Sequence, residues 1–197
     1  MSVLHPLLRP VSRALVPVVF VPAGLGLLLH SITAATVAER LLALALAIFC
    51  PELARMAFVD ISNTAAVLQQ SEQTPQDSRL SHFLGVVAST IVLEIMGFYG
   101  SLFSLPWGAI AIIFSQIWFN LLAGIQLAPG ETPAIVTFGI SQRRAVLVAN
   151  GLGLGLMGLW TFQENRIWLA SGLLLLVILF LVIKYAVATK PPHKLSS

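Results

Sequence analysis

Long apolar runs separated by shorter polar stretches make up almost the whole chain. A run of about 20 apolar residues is long enough to cross the hydrocarbon core of a bilayer as one helix. The pattern predicts six such spans. The last is the most uniformly apolar, and the second half of span 2 carries a proline and two charged residues. The predicted spans cover residues 14–32, 38–58, 83–103, 107–127, 145–162 and 167–188.

The polar stretches predict the connections between these spans. Residues 59–82 and 128–144 are long enough to be loops, whereas very short turns join span 3 to span 4 and span 5 to span 6. Each of those two pairs is therefore expected to form an antiparallel helical hairpin. Two capping boxes, at residues 36–39 and 74–77, indicate where helices begin.

Lysine and arginine residues are unevenly distributed between the two sides of this topology. With the N-terminus on the cytoplasmic side, nine of the 11 fall on that side and two, Arg40 and Arg166, on the other. Cytoplasmic segments of membrane proteins carry such an excess of positive charge. The sequence therefore predicts an all-α integral membrane protein, a bundle of about six transmembrane helices with both the N- and C-termini on the cytoplasmic side.

The composition supports a single membrane domain over residues 1–197. The chain is 57% hydrophobic and 10% charged, whereas a soluble globular domain is about 25% charged. The net charge is +3, but the basic residues lie at the ends of spans, which indicates membrane orientation rather than nucleic-acid binding. The expected partners are the lipid bilayer and other membrane protein subunits. The membrane is predicted to be a plasma or inner membrane, or an internal membrane such as a thylakoid.

Polar side chains fall near the middle or in the inner half of four predicted spans. Glu94 lies near the centre of span 3 and Gln116 near the centre of span 4, so a hydrogen bond between them is expected. Asn120 and Asn150 lie about one turn closer to the cytoplasm, and Glu52 lies in the inner half of span 2. Together these residues predict a polar layer across the bundle.

This polar layer has two interpretations. In the favoured one it is a structural clasp or a subunit contact, in which side chains hydrogen-bond across helices and the lone carboxyl of Glu94 is neutral. In the other it binds a proton, a cation or a small solute, because ionisable groups inside a membrane commonly mark functional sites.

Two pairs of charged residues lie closer to the predicted inner surface. Glu52 and Arg55 are three residues apart on one helix, a spacing that allows an ion pair. Arg143 and Arg144 precede span 5. These two arginines are expected to orient the chain and to contact anionic lipid headgroups at the inner surface.

Span 5 is rich in glycine. Gly151 and Gly155 are four residues apart, and Gly158 follows three residues later. Small residues at this spacing let helix backbones approach each other closely. The sequence therefore predicts a helix-packing face, used inside the chain by default or alternatively against another protein, a flat pigment or a lipid.

The sequence contains no pattern typical of a catalytic, metal-binding or cofactor-binding site. Cys50 is the single cysteine and is expected to be a small buried residue, and the four histidines do not form a metal-binding motif. The leading prediction is a non-enzymatic membrane protein that acts as an accessory subunit, scaffold or assembly factor of a larger membrane complex. The alternative is a small transporter, channel or substrate-binding subunit whose site is centred on Glu94.

Overall fold

A computed structural model describes residues 5–70, 78–128 and 134–188. These residues form six α-helices, a two-stranded β-hairpin and a short 3₁₀-helix. The elements are α1 (His5–Thr33), α2 (Val37–Gln70), α3 (Ser78–Ser101), α4 (Leu105–Leu122), β1 (Ile125–Ala128), β2 (Ala134–Thr137), the 3₁₀-helix (Ile140–Arg143), α5 (Arg144–Trp160) and α6 (Ile167–Ala188). Five of the described helices, all except the 17-residue α5, are long and apolar enough to cross a membrane.

The helices pack as consecutive pairs, α1 with α2, α3 with α4, and α5 with α6. Contacts of α2 with α6 and of α4 with α5 join these pairs to one another. The three turns within the pairs meet at one end of the molecule, because Ala34, Ser104 and Arg166, one from each turn, line the same cavity of about 470 Å³. We call this the turn end, and we call the opposite end, which carries the β-hairpin, the hairpin end.

Helix α2 is longer than the sequence pattern predicted. It runs without a break through Pro51 to Gln70, and its 34 residues measure about 50 Å at 1.5 Å per residue. The prediction of a span at 38–58 followed by a loop over 59–82 is therefore wrong for residues 59–70, which continue α2, and for residues 78–82, which begin α3. The other predicted spans fall on the observed helices, with 14–32 on α1, 83–103 on α3, 107–127 on α4, 145–162 on α5 and 167–188 on α6.

Packing explains why the polar segment 59–70 is helical. It contains neither glycine nor proline, and Thr64, Ala65 and Val67 are buried within it. Val67 belongs to a second apolar cluster at the hairpin end, together with residues such as Leu80 of α3. Burial of one face against a neighbouring helix is what stabilises most helices in proteins.

The second predicted loop, 128–144, is largely ordered into strands and a helical turn. Helix α4 ends at Leu122 rather than near 127, and the chain then turns at Gly124, whose φ of +64° favours glycine. Strands β1 and β2 pair antiparallel, with Ile125 opposite Thr137. The boundary predicted for span 4 and the unstructured loop that follows it are therefore wrong.

The sequence of β1 explains this difference. Ile125 and Leu127 are buried, whereas Gln126 between them is exposed. This alternation has the period of a strand with one covered face. It was hidden in the sequence because these residues directly follow a long apolar run, which was predicted as one continuous helix.

Helices α3 and α4 cross at two glycines. A Cβ atom on Gly97 would lie 2.6 Å from Ile112 Cγ1, and one on Gly108 would lie 2.5 Å from the Gly97 carbonyl oxygen and would also overlap Ser101. Real Cβ atoms do not approach other atoms this closely. The helical hairpin predicted over 83–127 therefore depends on the absence of side chains where its two helices meet.

One of the two predicted capping boxes is confirmed. The Thr36 backbone N–H donates to Glu39 Oε2 at 3.2 Å, and the Glu39 backbone N–H donates to Thr36 Oγ1 at 3.2 Å. These bonds satisfy the free backbone donors at the start of α2. The second box, residues 74–77, lies outside the described residues.

Candidate functional site

The predicted contact between Glu94 and Gln116 is present and buried. Glu94 on α3 is 3% exposed and Gln116 on α4 is 5% exposed. The side-chain amide of Gln116 donates from Nε2 to Glu94 Oε1 at 2.7 Å. The Gly97 crossing lies about one helical turn away, so the two backbones are close enough for this bond.

Each side chain of this pair keeps one atom without a partner. Among the described residues, neither Glu94 Oε2 nor Gln116 Oε1 has a hydrogen-bond partner. Both residues line a cavity of about 10 Å³, together with Asp60 of α2 and Thr90 of α3. Such a cavity has room for about one water molecule.

Asp60 is a residue of this site that the sequence analysis missed. It falls in the segment that was predicted as a loop, whereas the structure places it in the middle of α2. The only signal in the sequence was the continuation of a helical pattern without glycine or proline beyond residue 58. Because α2 remains helical, the Asp60 carboxyl is brought to the same cavity as Glu94.

The two asparagines of the predicted polar layer do not complete it. Asn120 Nδ2 donates to the backbone carbonyl of Gln116 at 2.7 Å, so it bonds within its own helix. Asn150 shares a small, mostly apolar cavity with Gln116 and makes no side-chain hydrogen bond with the described residues. The layer predicted from depth alone is therefore reduced to the pair of Glu94 and Gln116.

Glu52 belongs to a different cluster, between α2 and α6. The predicted ion pair is confirmed, because Arg55 donates from Nη2 to Glu52 Oε1 at 2.8 Å and from Nε to Oε2 at 3.1 Å. Lys184 Nζ lies 2.5 Å from Oε1, and the Tyr185 hydroxyl donates to Oε2 at 2.7 Å. Glu52 is 4% exposed, and its charge is balanced by partners from both helices. No local pattern indicated Lys184 or Tyr185, which lie more than 130 positions away.

Arg143 binds backbone carbonyls in the last turn of α4 and just after it. Its Nη1 donates to the carbonyls of Phe119 and Asn120 at 3.2 and 3.0 Å, and its Nη2 donates to the carbonyl of Ile125 at 3.2 Å. The guanidinium carbon also lies 4.9 Å from the centre of the Phe138 ring. A cation at this position interacts favourably with the negative end of the helix dipole.

The predicted lipid contact of the arginine pair is therefore wrong for Arg143. This residue is 3% exposed and turned inward, whereas Arg144 is exposed. Burial lowers the pKa of the Arg143 guanidinium from its ordinary value, although an arginine stays charged in a protein. Its Nε is buried without a hydrogen-bond partner in the part of the chain that the structure describes.

The predicted glycine face of α5 does not pack inside the chain. Gly151, Gly155 and Gly158 are exposed, and a Cβ on any of them would meet no atom within 4 Å. Gly153 is the glycine that packs internally, since its Cβ would lie 3.2 Å from Ile113 Cδ1. The prediction of an internal packing face is therefore wrong, and the face stays open in the single chain.

A larger apolar groove lies between α1 and α2. Its volume is about 560 Å³, and its walls are almost entirely apolar, with Arg55 among the lining residues. Cys50 also lines it and is 2% exposed, as expected for a small buried residue. Neither Glu94 nor Gln116 lines this groove.

Comparison of the chain with protein families, with curated proteins and with solved structures finds no match. Within residues 5–70, 78–128 and 134–188, no group of three or more His, Cys, Asp or Glu side chains is arranged to hold a metal ion. Three local features bear on the function of the chain: the open glycine face of α5, the ion cluster around Glu52, and the group of Asp60, Glu94 and Gln116.

Proposed function

We propose that this chain is a multi-pass integral membrane protein that acts through lateral contacts, as an accessory subunit, scaffold or assembly factor of a larger membrane complex. The observation that carries this proposal is the open face of Gly151, Gly155 and Gly158 on α5. Three glycines without neighbours leave a shallow groove along the helix. Close approach of a second helix is the established use of such a groove in membranes.

Helix α5 has few other contacts within the chain. Its buried residues are Gly153, Met157 and Trp160. Large apolar side chains such as Val148, Leu152 and Leu159 are exposed beside the glycines. In a bilayer these side chains would flank the groove and enlarge the contact area of an incoming helix. The expected partner is therefore a transmembrane helix with small residues on its own face.

The charge distribution supports a defined orientation for this protein. Arg143 and Arg144 lie at the hairpin end, whereas Arg166 lies at the turn end. By the positive-inside rule the hairpin end and both termini face the cytoplasm. The groove on α5 is then available within the plane of the membrane, and the β-hairpin is available to cytoplasmic partners.

The buried polar groups suit a stable scaffold. The Glu52 cluster ties α2 to α6, and Arg143 ties the chain before α5 to the end of α4. Each of these contacts joins segments that are distant in sequence. A scaffold needs such fixed helix positions, because it presents one face to its partner.

The test is to fill the groove and compare it with a matched glycine elsewhere. Gly155→Leu is expected to abolish co-purification of a stoichiometric membrane partner in mild detergent, with little change in the stability of the chain itself. Gly85→Leu is the control, since Gly85 on α3 is also exposed and has no atom within 4 Å of its Cβ position. The proposal fails if the chain purifies as a partner-free monomer, or if both variants retain the partner equally.

A further inference from the structure

Two cavities meet at Asp60. The small cavity beside Glu94 shares Met56, Asp60 and Phe119 with a larger cavity of about 180 Å³ at the hairpin end. Asp60 therefore lies between the buried pair of Glu94 and Gln116 and a more spacious region near the end of the bundle. This arrangement is independent of the open glycine face on α5.

The polar atoms available at the small cavity are oxygen acceptors. Glu94 Oε2 and Gln116 Oε1 have no hydrogen-bond partner among the described residues. The two residues are 3% and 5% exposed. The Asp60 carboxyl likewise has no hydrogen-bond partner among the described residues. The Asp60 backbone carbonyl accepts a bond from Thr64 Oγ1 at 2.7 Å. Carboxylate and carbonyl oxygens are the ligands of hard cations.

The pair is incomplete in either protonation state of Glu94. An ionised carboxylate would lack a donor for Oε2, and a neutral carboxyl would lack an acceptor for its proton. Both residues line the small cavity, so an occupant of that cavity can supply the missing partner. One small positive occupant of the cavity would interact with Glu94, Gln116 and Asp60 at once.

Charged groups around Glu94 favour a positive occupant. The charged side chain that acts electrostatically on Glu94 is Asp60, which has the same sign. Arg55 of α2 and Lys184 of α6 are the basic side chains near Asp60, and both are held in ion pairs by Glu52. Helix α4 supplies the neutral Gln116 and contains no charged residue.

Access to this site is one-sided. The larger cavity has mixed walls, in which Asp60, Asn120 and Gln126 lie beside the two arginines Arg55 and Arg143 and apolar residues. Toward the turn end, α3 and α4 are closed by the Gly97 crossing.

We propose that Asp60, Glu94 and Gln116 bind one monovalent cation, either a proton or Na⁺, which enters from the hairpin end past Asp60. Asp60 receives the cation at the larger cavity. Glu94 Oε2 and Gln116 Oε1 complete the site. The small cavity admits one such ion and no larger solute. Both of these cations bind to oxygen acceptors, and the experiment distinguishes between them.

The test uses the full chain in lipid nanodiscs and a hydrophobic carbodiimide, which modifies protonated carboxyls. Labelling of Glu94 is measured by mass spectrometry across pH 5 to 9 and across NaCl concentrations, with choline chloride keeping the ionic strength constant. If the cation is a proton, labelling falls at least tenfold as the pH rises and is unaffected by NaCl. If the cation is Na⁺, NaCl protects Glu94 from labelling. Labelling that is absent throughout, or constant across both series, overturns the proposal in favour of a permanent clasp or a trapped water.

Asp60→Asn tests the role of the second carboxyl. Removing a neighbouring negative charge weakens cation binding, so about tenfold more protons should be needed for half-maximal labelling, or about tenfold more Na⁺ for half-maximal protection. Glu164→Gln, an exposed carboxyl in the turn between α5 and α6, is the control and should leave both midpoints unchanged. Gln116→Met is a second variant, should Asp60→Asn not fold. It removes the amide that donates to Glu94 Oε1, so fewer protons should be needed for half-maximal labelling, whereas the loss of an oxygen ligand should raise the Na⁺ needed for half-maximal protection. Midpoints equal to wild type in the variants that fold overturn the proposal.

Discussion

Gly108→Ala should destabilise the α3–α4 hairpin strongly, although it adds a single methyl group. The new Cβ would lie 2.5 Å from the Gly97 carbonyl oxygen and would overlap the Ser101 backbone and hydroxyl. Backbone atoms cannot rotate away as a side chain can, so α4 must move as a unit. Gly100→Ala is the matched control on α3, because nothing lies within 4 Å of its Cβ position.

The expected magnitude follows from two opposing terms. Overpacking of a close contact costs about 3 kcal/mol at the upper end of its usual range. Replacing glycine by alanine within a helix returns about 1 kcal/mol through backbone entropy. The net loss of about 2 kcal/mol corresponds to roughly 30-fold in the unfolding equilibrium. Gly100→Ala has no overpacking cost and gains only the backbone-entropy contribution, so it should be neutral or slightly stabilising.

The assay is reversible unfolding in mixed micelles by titration with sodium dodecyl sulfate, followed by tryptophan fluorescence. Trp107 and Trp118 on α4 report on this hairpin directly. Gly108→Ala should unfold at a clearly lower detergent fraction than wild type. Equal unfolding midpoints for Gly108→Ala and Gly100→Ala would refute the conclusion that the glycine crossing sets the packing of α3 against α4.

Three further predictions concern the arginine pair, Asn150 and the orientation of the chain in the membrane. Arg143→Gln removes the guanidinium group from the end of α4 and should lower the unfolding free energy by about 3 kcal/mol in the same assay. Arg144→Gln is the control and should change the unfolding free energy by less than about 0.5 kcal/mol. Asn150→Ala should also be neutral within about 0.5 kcal/mol, because no hydrogen bond to the described residues is lost; a larger loss would restore Asn150 to the polar layer. In sealed cells, an impermeant maleimide should label the variant Glu164→Cys, which lies at the turn end. It should label Ser141→Cys, at the hairpin end, only after the cells are permeabilised. The reverse pattern would invert the proposed orientation.

The contacts that sequence spacing predicted correctly are short-range or lie within one hairpin. The Thr36 capping box and the ion pair of Glu52 with Arg55 each depend on two residues three positions apart. The bond between Glu94 and Gln116 follows from a tight turn that fixes the relative depth of two helices. In these cases helical geometry leaves few alternatives.

The contacts that sequence reasoning missed depend on the rotation of one helix against another. Depth along a helix is readable from residue count, but depth did not show that Glu52 pairs with Lys184 while Asp60 lines the same cavity as Glu94. Likewise, the inward position of Arg143 depends on the β-hairpin, which places the chain against the end of α4. A residue count carries no information about such tertiary arrangements.

We expect that the bond between Glu94 and Gln116 is not needed to hold α3 against α4, because the two helices already approach closely at the Gly97 crossing. A double variant, Glu94→Leu with Gln116→Leu, tests this argument. Replacing both partners of a buried polar pair with apolar groups of similar size is often neutral or stabilising, since neither partner is left unsatisfied. We therefore expect unfolding within about 1 kcal/mol of wild type, with any pH- or Na⁺-dependent change of its stability abolished. If the double variant instead unfolds several kcal/mol more easily, the pair is a structural clasp, and the case for a cation at Asp60 loses its main support.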